Sequence, residues 1–118
     1  MLVVEDESLI RMVMVDTLEE AGFKVIEAAN GEEAVNVLEE NPDLKALMTD
    51  IEMPGSINGI ALAKITHEQY PDVAVVVVSG RLKPGAHELP PKARFFGKPY
   101  QHSDIIAALQ ELIRMAKP

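Results

Sequence analysis

The six residues Val73-Ala74-Val75-Val76-Val77-Val78 form the longest unbroken apolar run in the chain, and they are β-branched almost throughout. Such a run is a strand, and its lack of polar alternation marks a strand covered on both faces. Helices on both sides of a parallel sheet supply that cover. At 118 residues with 47% apolar content, the chain has the size and core of one domain, spanning residues 1–118.

The remaining elements alternate around that strand. Leu2-Val3-Val4 reads as a short buried strand that runs into Glu5-Asp6-Glu7. From Ser8 the period changes: Leu9, Met12, Val13, Leu18 and Ala21 can share a helical face, and Gly22 supplies the stop. Met12 and Val13 are expected in the core rather than on a docking surface. Lys24 to Ala28 reads as a strand, and Asn30 with Glu33 resembles a capping box opening a helix that Asn41-Pro42 ends. Ala46 to Asp50 is the central strand, halted by Pro54-Gly55. Ile57 to Tyr70 is expected to be helical, Arg94 to Lys98 a last strand, and Ser103 the cap of a closing helix carrying Ile105, Ile106, Leu109, Leu112 and Ile113. Between Arg81 and Lys92, three prolines and Gly85 predict a loop with at most one turn. Strand–helix alternation with short connections predicts a parallel sheet in a three-layer α/β/α sandwich.

In such a sheet ligands bind at the carboxyl ends of the strands. Asp6, Asp50, Ser79 and Lys98 each follow or close a different strand, so the fold would bring all four to one rim. Singly, each has a plainer account, as a solvated helix start, a turn or a strand exit; together they suggest a site. Two unit charges about 4 Å apart repel by roughly 4 kcal/mol at an effective dielectric of 20. Glu5, Asp6 and Asp50 therefore cannot crowd together ionised unless one takes a proton or a cation sits among them. Hard oxygen ligands without nearby His or Cys favour Mg²⁺. Lys98 adds a positive point and Ser79 a hydroxyl donor, an arrangement suited to phosphoryl transfer onto Asp50.

The segments Val3-Val4-Glu5-Asp6-Glu7, Asp50-Ile51-Glu52-Met53-Pro54-Gly55, Ser79-Gly80 and Lys98-Pro99 resemble, in order, the signature positions of the receiver domain of two-component response regulators. The resemblance covers essentially the whole chain. It implies a flavodoxin-like fold with sheet order 2-1-3-4-5, and an Asp50 that accepts a phosphoryl group from a sensor histidine kinase or histidine phosphotransfer protein. It implies that Glu5, Asp6, Asp50 and the backbone carbonyl of Glu52 hold Mg²⁺, that Lys98 pairs with the phosphoryl group, and that Ser79 and Phe95 occupy switch positions. Glu52 and Arg81 fall where this family tunes dephosphorylation, and a salt bridge between them would shield the site. Three departures stand out. The loop Gly55-Ser56-Ile57-Asn58-Gly59 is one residue longer than usual, the fourth helix is expected to be short or replaced by loop, and Phe95 has no hydroxyl to re-pair.

Several functions are excluded or disfavoured. A net charge of -8 with scattered basic residues argues against direct nucleic-acid binding, and the absence of cysteine removes thiol chemistry. No run approaches the roughly 20 apolar residues of a spanning helix, and the start lacks signal-peptide character, so a cytoplasmic protein is expected. A dehalogenase-like phosphatase would need an Asp-x-Asp-x-Thr arrangement near the first strand and a cap domain, and neither is found. A phosphate-independent interaction domain would not need the intact acidic, hydroxyl and lysine set. The reading is of a phosphoacceptor rather than an enzyme, with readout by an unidentified protein partner. It is either a stand-alone receiver or one excised from a longer hybrid kinase or regulator.

Overall fold

The computed structural model describes residues 1–80 and 88–116. Within them β1 (Leu2–Val4), α1 (Ser8–Glu20), β2 (Ile26–Ala28), α2 (Gly31–Glu40), β3 (Ala46–Asp50), α3 (Gly59–Gln69), β4 (Ala74–Ser79), β5 (Arg94–Gly97) and α4 (His102–Ala116) follow one another. The strands form one sheet of order β2-β1-β3-β4-β5, with every neighbouring pair parallel. This is the flavodoxin-like order expected from the motifs. Residues 88–93 carry turns and no helix, and α4 is the last of four helices among the described residues.

Each central strand feeds two cores, as its lack of polar alternation requires. Val3, Met48, Val76 and Val78 pack with Met14, Val15 and Leu18 of α1 and Ile105, Leu109 and Leu112 of α4. Leu2, Val4, Leu47, Val75 and Val77 pack with Ala34 and Leu38 of α2 and Leu62 and Ala63 of α3. All six residues of β4 are buried, and fully burying a valine side chain stabilises by about 1.5–3 kcal/mol.

Local signals set most helix ends. Asn30 caps α2 by accepting from Glu33 N at 2.8 Å, while Glu33 reaches back to Ala29 N at 3.4 Å. After α1, Gly22 takes a φ of 99°, and Gly22 N and Phe23 N close on Glu19 O and Leu18 O. Three expectations are corrected. The helix expected from Ile57 starts at Gly59, because Asn58 caps it by accepting from Ala61 N at 2.9 Å. Ser103 lies inside α4 rather than capping it; the carbonyl of Gln101 takes the N–H groups of Asp104 and Ile105. Most consequentially, of the face expected to pack on α1, only Leu18 is buried. Leu9, Met12 and Val13 are 71%, 52% and 54% exposed, and Ala21 is exposed too; Met14, Val15 and Leu18 face the sheet. Apolar residues occupy several faces of α1, so periodicity alone does not choose one.

The orientation of α1 is testable. Leu18→Ala should cost about 2–5 kcal/mol in urea unfolding, whereas Leu9→Ala should stay within about 0.5 kcal/mol. Equal losses would contradict this facing.

Candidate functional site

The carboxyl ends of β1, β3, β4 and β5 converge, and each presents a polar group. Glu5 and Asp6 follow β1, Asp50 closes β3, Ser79 closes β4 and Lys98 follows β5. Carboxylate oxygens of Glu5, Asp6 and Asp50 lie within 4.8 Å of one another, with Glu5 and Asp50 buried and Asp6 exposed. Lys98 Nζ stands 3.5 Å from Asp50 Oδ2. The Ser79 hydroxyl donates to Glu52 Oε1 at 2.9 Å, and Glu52 N donates to Asp50 Oδ1 at 3.2 Å. All the expected acidic, hydroxyl and lysine residues are therefore brought together. Arg81 lies outside the described residues. Phe95 sits on β5, partly buried against the α2/α3 core, where its ring packs whatever else it does.

The backbone explains how the strand ends come so close. Ile51 N continues the pairing beyond β3 by donating to Val78 O, and Lys98 N does the same from β5 to Ser79 O. The Lys98–Pro99 peptide is cis. The α3 N-terminus presses on the Asp50–Ile51 backbone, with Gly59 N donating to Ile51 O at 3.0 Å; a Cβ on Gly59 would collide with the Asp50 carbonyl oxygen.

Two positioning side chains escape a reading by motif. Arg11 Nη1 donates to Glu5 O at 2.7 Å and its Nε to Glu27 Oε1 at 3.0 Å, strapping the loop after β1 to β2. Glu32, in the first turn of α2, accepts from Ile57 N at 3.1 Å and Ser56 Oγ at 3.2 Å, tying down the loop after β3. The Arg11–Glu27 and Glu32–Ile57 contacts join residues 16 and 25 positions apart, so spacing gives no sign of them.

The electrostatics match a crowded anionic pocket. Burial pushes the Glu5 carboxyl up to about 7; the Glu7 N–H opposes this, while the Asp6 and Asp50 carboxylates add to it. Burial alone would lower the Lys98 ammonium, but the facing Asp50 and Glu5 carboxylates outweigh it and the net direction is upward. Burial also raises the Tyr100 phenol, against Lys98. A clustered all-oxygen donor set in which burial holds the Glu5 proton fits a hard divalent cation.

A parallel sheet of order β2-β1-β3-β4-β5 with an acidic pocket at its carboxyl edge, able to hold a metal, defines a flavodoxin-like protein. Residues 1–110 match the response regulator receiver domain, and the chain belongs to that family, which acts in two-component signalling. It is 32% identical over 116 residues to the response regulator receiver protein CpdR of Brucella abortus, covering 95% of this chain and 94% of that protein. It is likewise 32% identical to the sensor kinase CckA of the same organism, covering 95% of this chain but only 12% of CckA. The Rickettsia NtrX-like regulators are matched over 25% of their length. Among solved structures, a response regulator receiver protein from Sinorhizobium medicae superposes with a TM-score of 0.92 at 25% identity, covering 98% of this chain and 94% of that one. The receiver domain of the hybrid histidine kinase CckA gives 0.80 at 31% identity, covering 95% and 96%.

The Glu5 shift fixes a sign for stability. The folded state holds this proton more tightly than the unfolded chain, whose glutamate titrates near its ordinary 4.5. The Glu5 contribution is therefore full below about pH 4.5 and is lost as pH rises to about 7. Thermal melts in a chelator should show that part of the decline removed by Glu5→Gln; an unchanged pH profile in the variant would contradict the shift.

Proposed function

We propose that this chain is a phosphoacceptor module of a two-component system or phosphorelay, with Asp50 receiving a phosphoryl group from a phosphohistidine. The observation that carries this reading is the seat of Asp50: buried at the end of β3, clustered with Glu5 and Asp6, and 3.5 Å from Lys98. A carboxylate oxygen of Asp50 attacks phosphorus. The P–N bond breaks with its electron pair leaving on the imidazole nitrogen, and the new P–O bond gives an aspartyl phosphate. Lys98 neutralises charge on the phosphoryl oxygens, and Ser79 is the hydroxyl that donates to one of them once the group is in place.

Glu5, Asp6 and Asp50, with the backbone carbonyl of Glu52, would hold Mg²⁺. When bound, Mg²⁺ supplies positive charge against the phosphoryl oxygens. Turnover on this reading is limited to slow loss of the phosphoryl group, a rate tuned by Glu52 and Arg81, so the module is a switch rather than an enzyme. Moving a two-state domain from 1:99 to 99:1 takes about 5.5 kcal/mol of differential interaction, supplied here by new contacts to Ser79 and Lys98 and read by a protein partner. Phe95 follows that shift through packing.

The donor is a sensor histidine kinase or a histidine phosphotransfer protein in the cytoplasm. Its docking surface is the exposed side of α1, where Leu9, Ile10 and Val13 line a cleft of about 280 Å³ with Tyr100 and His102 beside the acidic rim. An apolar patch of this kind next to a reactive group marks a contact surface.

Intact mass after incubation with acetyl phosphate and Mg²⁺ tests the reading. One phosphoryl group should be gained by the wild type and none by Asp50→Asn. Val13→Asp should label normally from acetyl phosphate but slowly from a phosphohistidine protein. Phosphate release with sustained turnover would indicate a phosphatase instead, and labelling that survives in Asp50→Asn would overturn the assignment.

A further inference from the structure

The Ser79 hydroxyl is engaged by an anion within the protein itself. It donates to Glu52 Oε1 at 2.9 Å, and both ends of that contact are anchored. Ser79 is buried at the end of β4, and its carbonyl accepts from Lys98 N. Glu52 stands two residues beyond Asp50, with its backbone N–H on Asp50 Oδ1. The Glu52 side chain thus spans from the loop after β3 to the end of β4, alongside the carboxylate that would carry the phosphoryl group.

A serine hydroxyl has one proton to donate. Given to the Glu52 carboxylate, it is withheld from an oxyanion on Asp50. A charged acceptor makes this a stronger hydrogen bond than a neutral one would, so opening it opposes the switched state. We propose that Glu52 is a latch on Ser79: a positioning residue that holds the hydroxyl in the unswitched arrangement and must release it when Asp50 is occupied. This rests on the reading of Asp50 as phosphoacceptor. It differs from simple repulsion between Glu52 and an arriving anion, because repulsion does not need the Ser79 hydroxyl whereas the latch does.

A double-mutant cycle separates the two. The probe is beryllofluoride, a phosphoryl mimic, titrated in Mg²⁺ against wild type, Glu52→Ala, Ser79→Ala and the double variant. Glu52→Ala should tighten binding about tenfold in the wild-type background, the scale of one charge-assisted hydrogen bond. In the S79A background the same substitution should change it by less than about threefold, since the proton at issue is gone. A general structural effect of Glu52 would not produce that coupling. Glu52→Gln keeps the shape and an acceptor oxygen and should tighten binding more weakly, again only when Ser79 is present, so the test survives if the alanine variant unfolds. Equal tightening in both backgrounds would overturn the latch while leaving the phosphoacceptor reading intact. No binding by any of the four proteins would overturn both.

Discussion

Three carboxylates that cannot all stay ionised in isolation are held at one edge of the sheet, and much of the local structure is what makes that placement possible. Glu5, Asp6 and Asp50 bring ligand oxygens within 4.8 Å of one another. At that range each like-charged pair costs several kcal/mol at the effective dielectric of a protein surface, a large part of the stability of a small domain. The fold withstands it because β1, which leads into Glu5, and β3, which ends on Asp50, are fixed by two apolar cores, one on each side. Local compensation helps: Lys98 faces Asp50, backbone N–H groups of Glu7 and Glu52 meet two of the carboxylates, and Glu5 keeps its proton to about pH 7. The same strain makes the site receptive to a divalent cation.

The backbone contacts convert this constraint into position. Gly59 lets α3 press against the Asp50 carbonyl, Arg11 straps the acidic loop to β2, and Glu32 ties the loop after β3 to α2. None of these groups belongs to the clustered acidic set, yet each limits how far a carboxylate or the Glu52 backbone can drift. On the proposed function, signalling needs only a small rearrangement: the Ser79 hydroxyl, now on Glu52, would change acceptor, and packing around β5 would adjust.

The rim was legible from the amino-acid sequence because each apolar run stops on a polar residue, and a parallel sheet sends those stops to one side. Asp50 after Ala46-Leu47-Met48 and Ser79 after the valine run are cases where composition and topology agree. The facing of α1 was not legible, since Leu9, Met12 and Val13 are as apolar as Met14, Val15 and Leu18; only packing against α4 and the sheet selects between them. The Ser79–Glu52 contact was hidden for another reason. It depends on the path of a loop that brings residues 27 positions apart to 2.9 Å, which spacing does not encode. Helix starts fell between these cases: Asn58 and Gln101 took the ends of α3 and α4 from Ile57 and Ser103 by local hydrogen bonding.

The central claim is that the clustered carboxylates form one divalent-cation site on which the phosphoryl chemistry of Asp50 depends. Titrating Mg²⁺ into the protein while following backbone amide resonances tests it most directly. The account predicts a single saturable site, with shifts concentrated at Glu5, Asp6, Asp50 and Glu52 and lost in Asp6→Asn. Shifts spread over the acidic surface without saturation, or unchanged in Asp6→Asn, would contradict it.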